Sequence, residues 1–194
     1  MQIGICIPAH DTLHTKFAIS LANLTSRLTR ESIPYNLHVV CGSVISESRT
    51  RLANEALEAG ATHLLWLDSD MHFPVDVVDR FLKHDVDIVA GNYSTRYAPY
   101  CSVAFTDKHD INQRLTATRG LHKAWAVGMG CMLIKAQVFK TLPKPWFYHE
   151  YNKTLDTFSG EDIYFCNQAY EHGIDVYVDA DIKLAHLGIK ANIL

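Results

Sequence analysis

Asp68 and Asp70, separated only by Ser69, follow directly on an unbroken apolar run, Leu64-Leu65-Trp66-Leu67. Such a run suits a strand buried on both faces of a parallel sheet, and ligands of these sheets gather at the strands' C-terminal ends. Two carboxylates at i and i+2 just past the strand can both turn towards one ligand. Their hard oxygen donors suit Mg2+ or Mn2+, and such an ion bridges in turn to phosphates. The plainer reading of the same residues is a polar strand-to-helix loop. Further along, Glu161 and Asp162 follow Gly160 and precede Ile163, Cys166, Ala169 and Tyr170, an apolar stripe at helical spacing. Acidic residues favour the first turn of a helix for structural reasons alone, and Ser159 with Asp162 resembles a capping box.

Two arginines of one predicted helix separate by geometry. Arg49 shares a face with Leu52, Ala53, Ala56 and Leu57. Arg51 shares one with Glu55 and Glu58 and reads as a solvated i,i+4 partner. Arg49 therefore projects from the edge of the buried face, either into a ligand pocket on the rim or into a structural salt bridge, and we favour the pocket. Asp11 and Asp87 are weaker candidates for contact with a ligand. Gly128 and Gly130 lack the third glycine of a dinucleotide fingerprint and sit in a late apolar run, so they read as room for substrate to approach the backbone. Tyr93, Arg96, Tyr97 and Trp125 offer a platform on which a ring-shaped ligand can stack, although tyrosines border strands in most α/β domains.

The elements that must position these residues follow from periodicity. Ile3–Ala9 reads as a first strand, and Leu13, Phe17, Leu21, Leu24 and Leu28 recur at helical spacing over about 13–31. Leu37–Cys41, a helix over 46–59, the strand His63–Leu67, a helix from Pro74 to about His84 and the strand Val86–Ala90 continue the alternation. That order predicts a mainly parallel, helix-covered sheet, with Pro8, Cys41, Asp68, Asp70 and Gly91 on one rim. The second half is less regular. Tyr100–Phe105 and Trp125–Ile134 read as strands, 106–123 as a polar loop, Phe158–Gly173 as a loop entering a helix, and 174–186 as two short strands.

Taken in order, Ile5-Cys-Ile-Pro8-Ala9, Leu67-Asp-Ser-Asp70, Gly91-Asn-Tyr-Ser94, Val127-Gly-Met-Gly130-Cys-Met-Leu-Ile134, Gly160-Glu-Asp162 and the late His186 resemble GT-A glycosyltransferases, in particular the family-two-like branch of small bacterial and viral members. The resemblance implies one GT-A domain over 1–194, with a nucleotide-binding half (1–92) and an acceptor-side half (93–194). Its sheet would be mixed and mostly parallel with helices on both faces. It implies that Asp70, helped by Asp68, holds Mn2+ or Mg2+ on a nucleotide diphosphate, and that His186 joins the same metal. By itself, a histidine in a short apolar strand is more often a core residue. Pro8 and Ala9 would lie against the nucleoside, with Asp11, Cys41, Arg49 and Ser69 also on the donor side. The acid of the late loop, Asp162, would take the acceptor's proton in an inverting transfer while Glu161 orients the acceptor or the loop. UDP is the default donor nucleotide, and the acceptor, a glycan or another hydroxyl, would meet a platform of Tyr93, Arg96 and Trp125 with Gly128 and Gly130.

The 194 residues carry a net charge of −3, which argues against a bulk electrostatic grip on nucleic acid. Five scattered cysteines, four of them in apolar stretches, read as buried free thiols of a reducing compartment, the cytoplasm. No apolar stretch approaches the length of a membrane span, and the start of the chain does not read as a signal peptide. A nucleotidyltransferase on a related fold would want a glycine-rich loop where Pro8-Ala-His-Asp11 stands. A non-catalytic nucleotide-sugar binding module would have little use for Asp68, Asp70, Asp162 and His186 together.

Overall fold

The computed structural model describes residues 1–153 and 156–188; residues 154, 155 and 189–194 of the expected 1–194 span lie outside the described residues. The first half alternates as its periodicity predicts: β1 (Ile3–Ala9), α1 (Thr15–Arg30), β2 (Tyr35–Cys41), α2 (Ile45–Glu58), β3 (His63–Leu67), then a short β4 (Met71–His72), α3 (Val77–Leu82) and β5 (Ile88–Gly91). The second half contributes β6 (Ala104–Phe105), β7 (Leu121–Ala124), β8 (Ala126–Val127), β9 (Cys131–Lys135), α4 (Ala136–Thr141), β10 (Tyr151–Asn152), β11 (Thr157–Phe158), α5 (Glu161–Glu171), β12 (Val176–Asp179) and β13 (Ala185–His186).

Seven strands form the central sheet in the order β2-β1-β3-β9-β5-β12-β7. Only β9 and the edge strand β7 run antiparallel to their neighbours. The sheet is thus mixed and mostly parallel, and apolar side chains cover both faces. Strand period sends Ile3, Ile5 and Ile7 to one face, where they meet Phe17, Leu24 and Leu28 of α1 and Val77, Val78 and Phe81 of α3. Cys6, Leu64 and Trp66 face the other side, against Leu52, Ala53 and Ala56 of α2, Phe139 of α4 and Phe165 of α5. Here Phe147 stacks on Phe165 with centroids 5.2 Å apart, and Trp66 meets Phe147 edge-on at 5.4 Å. Among the described residues no helix is long and apolar enough to cross a membrane.

The differences from expectation have local causes. α1 starts at Thr15 because His14 caps it, its ring Nδ1 accepting from the Lys16 N–H at 3.2 Å, and Leu13 is left exposed. The expected strand Trp125–Ile134 is broken at Gly128-Met129-Gly130 into β8, which pairs with β6, and β9, which inserts between β3 and β5. The expected loop 106–123 ends in the edge strand β7, whose Leu121-His-Lys-Ala sequence has one face towards water and no clear apolar run. Cys6, Cys131 and Cys166 are buried, but Cys41 is exposed at the end of β2 and Cys101 is half-buried, so the thiols are not uniformly core residues.

Candidate functional site

The Asp68-Ser69-Asp70 turn is fastened by three distant segments. The Asp68 N–H donates to Gly130 O at 3.0 Å, Ser69 O accepts from the His14 N–H at 3.1 Å, and Asp70 O accepts from the Leu187 N–H at 2.8 Å. β4 pairs antiparallel with β13, His186 opposite Met71, and this register delivers the imidazole to Asp70. His186 Nε2 lies 3.3 Å from Asp70 Oδ2, while its Nδ1 is 3.3 Å from Ser94 O. The Tyr93 ring meets the imidazole edge-on at 5.5 Å. The Arg96 guanidinium contacts the same two acceptors, Asp70 Oδ2 and His186 Nε2. A hydrogen bond to the Asp70 carboxylate raises the His186 imidazole above its usual value. Burial works to raise the Asp70 carboxyl, but His186 and Arg96 outweigh it, leaving it below the ordinary carboxylate value.

Two donors each about 2.1 Å from one ion, at a right angle, stand about 3 Å apart. The 3.3 Å between Asp70 and His186 therefore fits a shared Mn2+ or Mg2+. Among the described residues no group of three His, Cys, Asp or Glu is arranged as a full metal cage. Two protein donors are nonetheless enough for an ion whose remaining ligands are phosphates and water. Asp68 is not free in the same way, because its Oδ1 is taken by Arg49.

Arg49 is the electrostatic centre of the rim. It is 2% exposed; its Nη2 donates to Asp68 Oδ1 at 2.8 Å and its Nε to Glu161 Oε1 at 2.9 Å. The guanidinium stands 5.6 Å above the Trp66 ring, and Nη1 is buried without a hydrogen-bond partner among the described residues. Glu161 is also near His149, Nε2 to Oε2 at 3.8 Å. Burial, then the Glu161 charge, push the Asp162 carboxyl up to about 6 against the pull of Arg49. Burial raises Asp68 too, despite Arg49. The helix cap differs from the sequence reading: Gly160, not Ser159, is the N-cap, and no side chain caps it. Asp162 Oδ1 instead accepts from the Ile163 N–H at 2.8 Å.

Gly128 and Gly130 have a definite packing reason. A Cβ at either would come within 2.6 Å of the Tyr93 hydroxyl, which accepts from the Gly130 N–H at 2.9 Å. Burial and the nearby Asp68 and Asp162 charges push that phenol well above its usual value.

The other nominated residues are spread over three clefts. One of about 630 Å3 is lined by His10, His14, Thr15, Ser69, Asp70 and Arg96. A second of about 540 Å3 is lined by Phe105, Arg114, Trp125, Phe158, Gly160 and Ile163, so Trp125 lies by the start of α5 rather than with Arg96. Cys41 belongs to a third, of about 260 Å3, with Gly42, Ser43 and Glu47. Pro8 and Ala9 end β1 beside Val40 and Cys41, and Asp11 is exposed with His10 Nδ1 at 2.7 Å from it. Tyr97 is exposed next to Arg96. Asp87 precedes β5, at the end away from Gly91 and the rim, and stands 3.5 Å from Lys135 Nζ, so its side chain does not join the site. The periodicity points to none of His149, His14, Phe105, Arg114 and Phe158; His14 falls inside the helix it predicts and emerges as a cap only in the structure.

The two arginines of α2 make the test of this geometry. Arg51 is exposed and bonded to Glu55 at 2.8 Å, so Arg51→Ala is expected to cost under about 1 kcal/mol. Arg49→Ala strands buried carboxylates and is expected to cost about 3–5 kcal/mol in urea unfolding at neutral pH. Equal costs would show that Arg49 is not the hub.

No known family profile matches the sequence, and no curated protein does. Solved structures do match. A197 from STIV aligns over 96% of this chain and 86% of its own, at 18% identity and a TM-score of 0.67. GalNAc-T7, solved with UDP, GalNAc and Mn2+, aligns over 96% of this chain and 44% of its own, at 12% identity and a TM-score of 0.56. The inositol-1-phosphate CTP transferase from T. maritima aligns over 100% of this chain and 91% of its own, at 10% identity and a TM-score of 0.51. Identities this low speak for architecture, and with its seven-stranded, mostly parallel sheet the chain has the GT-A fold of the glycosyltransferase neighbours.

Proposed function

We propose that this chain is a metal-dependent glycosyltransferase that moves a sugar from a nucleotide diphosphate, UDP by default, to a hydroxyl acceptor. The observation that carries the reading is the meeting of Asp70 and His186, far apart in sequence, 3.3 Å from each other on the edge of a cleft of about 630 Å3. The donor would lie in that cleft, against Ser69 and the segment that follows Pro8 and Ala9, where His10, Thr12 and His14 line it. A divalent cation on Asp70 and His186 would supply charge neutralisation for the departing diphosphate. Asp68 and Arg49 keep the turn in shape from beneath.

The acceptor would enter the cleft of Phe105, Trp125 and Phe158, where aromatic faces suit a sugar ring. That cleft reaches Gly160, two residues before Asp162. A carboxyl held up to about 6 by burial is poised to take a hydroxyl proton near neutral pH. Glu161, fixed by Arg49, orients the loop and leaves the proton to Asp162. Tyr93, packed against Gly128 and Gly130 and beside the His186 ring, would support the acceptor side. Attack by the hydroxyl on the face opposite the diphosphate would invert the anomeric centre.

The nucleotidyltransferase reading draws on the fold of the CTP transferase, but β1 runs into Pro8-Ala-His-Asp11 without a glycine-rich loop. Incubation with a panel of nucleotide sugars and Mn2+ separates the two. Slow release of nucleoside diphosphate and free sugar is expected, abolished by Asp70→Ala. Release of pyrophosphate from a nucleoside triphosphate and a sugar phosphate would select the rival.

Two outcomes probe the base. Asp162→Asn keeps an acceptor for the Ile163 N–H, so UDP binding in Mn2+ is expected to persist while transfer falls by about 10²–10⁴-fold. Near-normal transfer would move the base elsewhere. Because this base works deprotonated and its carboxyl is raised to about 6, kcat is expected to be full above that pH and to fall as pH drops through it. A flat profile from pH 7 to 5 would speak against Asp162.

A further inference from the structure

The acceptor-platform reading of Arg96 leaves its position unexplained. The guanidinium lies on Asp70 Oδ2 and 3.3 Å from His186 Nε2, the same two atoms that fit a shared metal ion. Asp70 Oδ2 is an acceptor. In the neutral imidazole, with the Nδ1 proton donated to Ser94 O, His186 Nε2 is an acceptor as well. Two lone pairs facing each other across 3.3 Å call for a cation, and the chain provides one.

Arg96 is also built to leave. It sits near the tip of the 92–103 connection, whose base is fixed by the Val103 N–H on Tyr93 O at 3.1 Å and the Thr95 N–H on Cys101 O at 2.9 Å. Its side chain is 45% exposed, against 3% for Arg49. Asp70 and His186 are its only hydrogen-bond partners among the described residues.

We propose that Arg96 is the resident counter-cation of the Asp70–His186 pair and that a divalent metal binds there by displacing it, so that Arg96 sets the protein's affinity for metal. This rests on the metal site proposed above and goes beyond it by making the empty and loaded sites two positions of one side chain. An arginine that covers the pair about nine-tenths of the time lowers apparent metal affinity about tenfold.

The test is Mn2+ binding to the nucleotide-free protein, followed by the electron paramagnetic resonance of free Mn2+. Arg96→Gln is expected to bind Mn2+ about tenfold more tightly than wild type. Adding Asp70→Asn should abolish the gain. Arg119→Gln, which removes an exposed charge elsewhere, should leave affinity unchanged. Equal or weaker Mn2+ binding by Arg96→Gln overturns the proposal, as does no Mn2+ binding by either protein. UDP binding by metal-free wild type that Arg96→Gln loses overturns it as well, since Arg96 would then be the permanent cation. UDP titration of both proteins in saturating Mn2+ runs alongside. Failure of both to bind there counts against the donor reading and leaves the Mn2+ comparison standing.

Discussion

The site depends on one buried cation. Arg49 comes from the first turns of α2, yet it bonds Asp68 at the end of β3 and Glu161 at the start of α5. A guanidinium taken out of water is tolerated only when its charge is matched, and carboxylates left without it would carry the same penalty. Three segments remote in sequence are therefore held in one arrangement by mutual neutralisation. Desolvation works to discharge Arg49, but the Asp68 and Glu161 charges more than compensate and hold its pKa above the usual arginine value. The same hub leaves Asp162 short of a partner, with burial and Glu161 both raising its carboxyl.

The Asp68-Ser69-Asp70 turn divides its two acids between structure and rim. Asp68 is tied down by Arg49 beneath it, and Asp70 turns to His186 and Arg96 above. Each acid has an arginine, but one arginine is packed over Trp66 and the other hangs from an exposed loop. The contrast in burial makes the first a fixed part of the scaffold and the second a side chain with room to move.

The antiparallel strand β9 joins the two halves of the sheet. It lies between β3 and β5, so the Gly128-Met129-Gly130 segment that leads into it crosses directly under the rim. Gly130 O receives the Asp68 N–H, and the Gly130 N–H goes to Tyr93. Only glycine at 128 and 130 lets the phenol approach so closely, and the phenol's edge in turn supports the His186 ring.

Periodicity alone determined the β1-α1-β2-α2-β3 frame: β1, α1, α2 and β3 each bury a full stripe or face, and the edge strand β2, largely open to water, is marked by the short apolar run that Gly42 closes. It also separated Arg49 from Arg51, since a residue's helical face follows from counting. The sequence located Asp68, Asp70 and Asp162 at element ends, which the chain's own punctuation marks. Strand direction is absent from periodicity, so an apolar run such as Cys131–Lys135 did not announce that β9 runs antiparallel. The edge strand Leu121–Ala124 has water on one side and reads as loop. The hydrogen bonds that bring His186 to Asp70, and the contacts that seat Arg96 on both, join residues with no local relation. Such pairings are fixed by the packing of the whole sheet and by the need to match each buried or facing charge, and only the tertiary structure decided them.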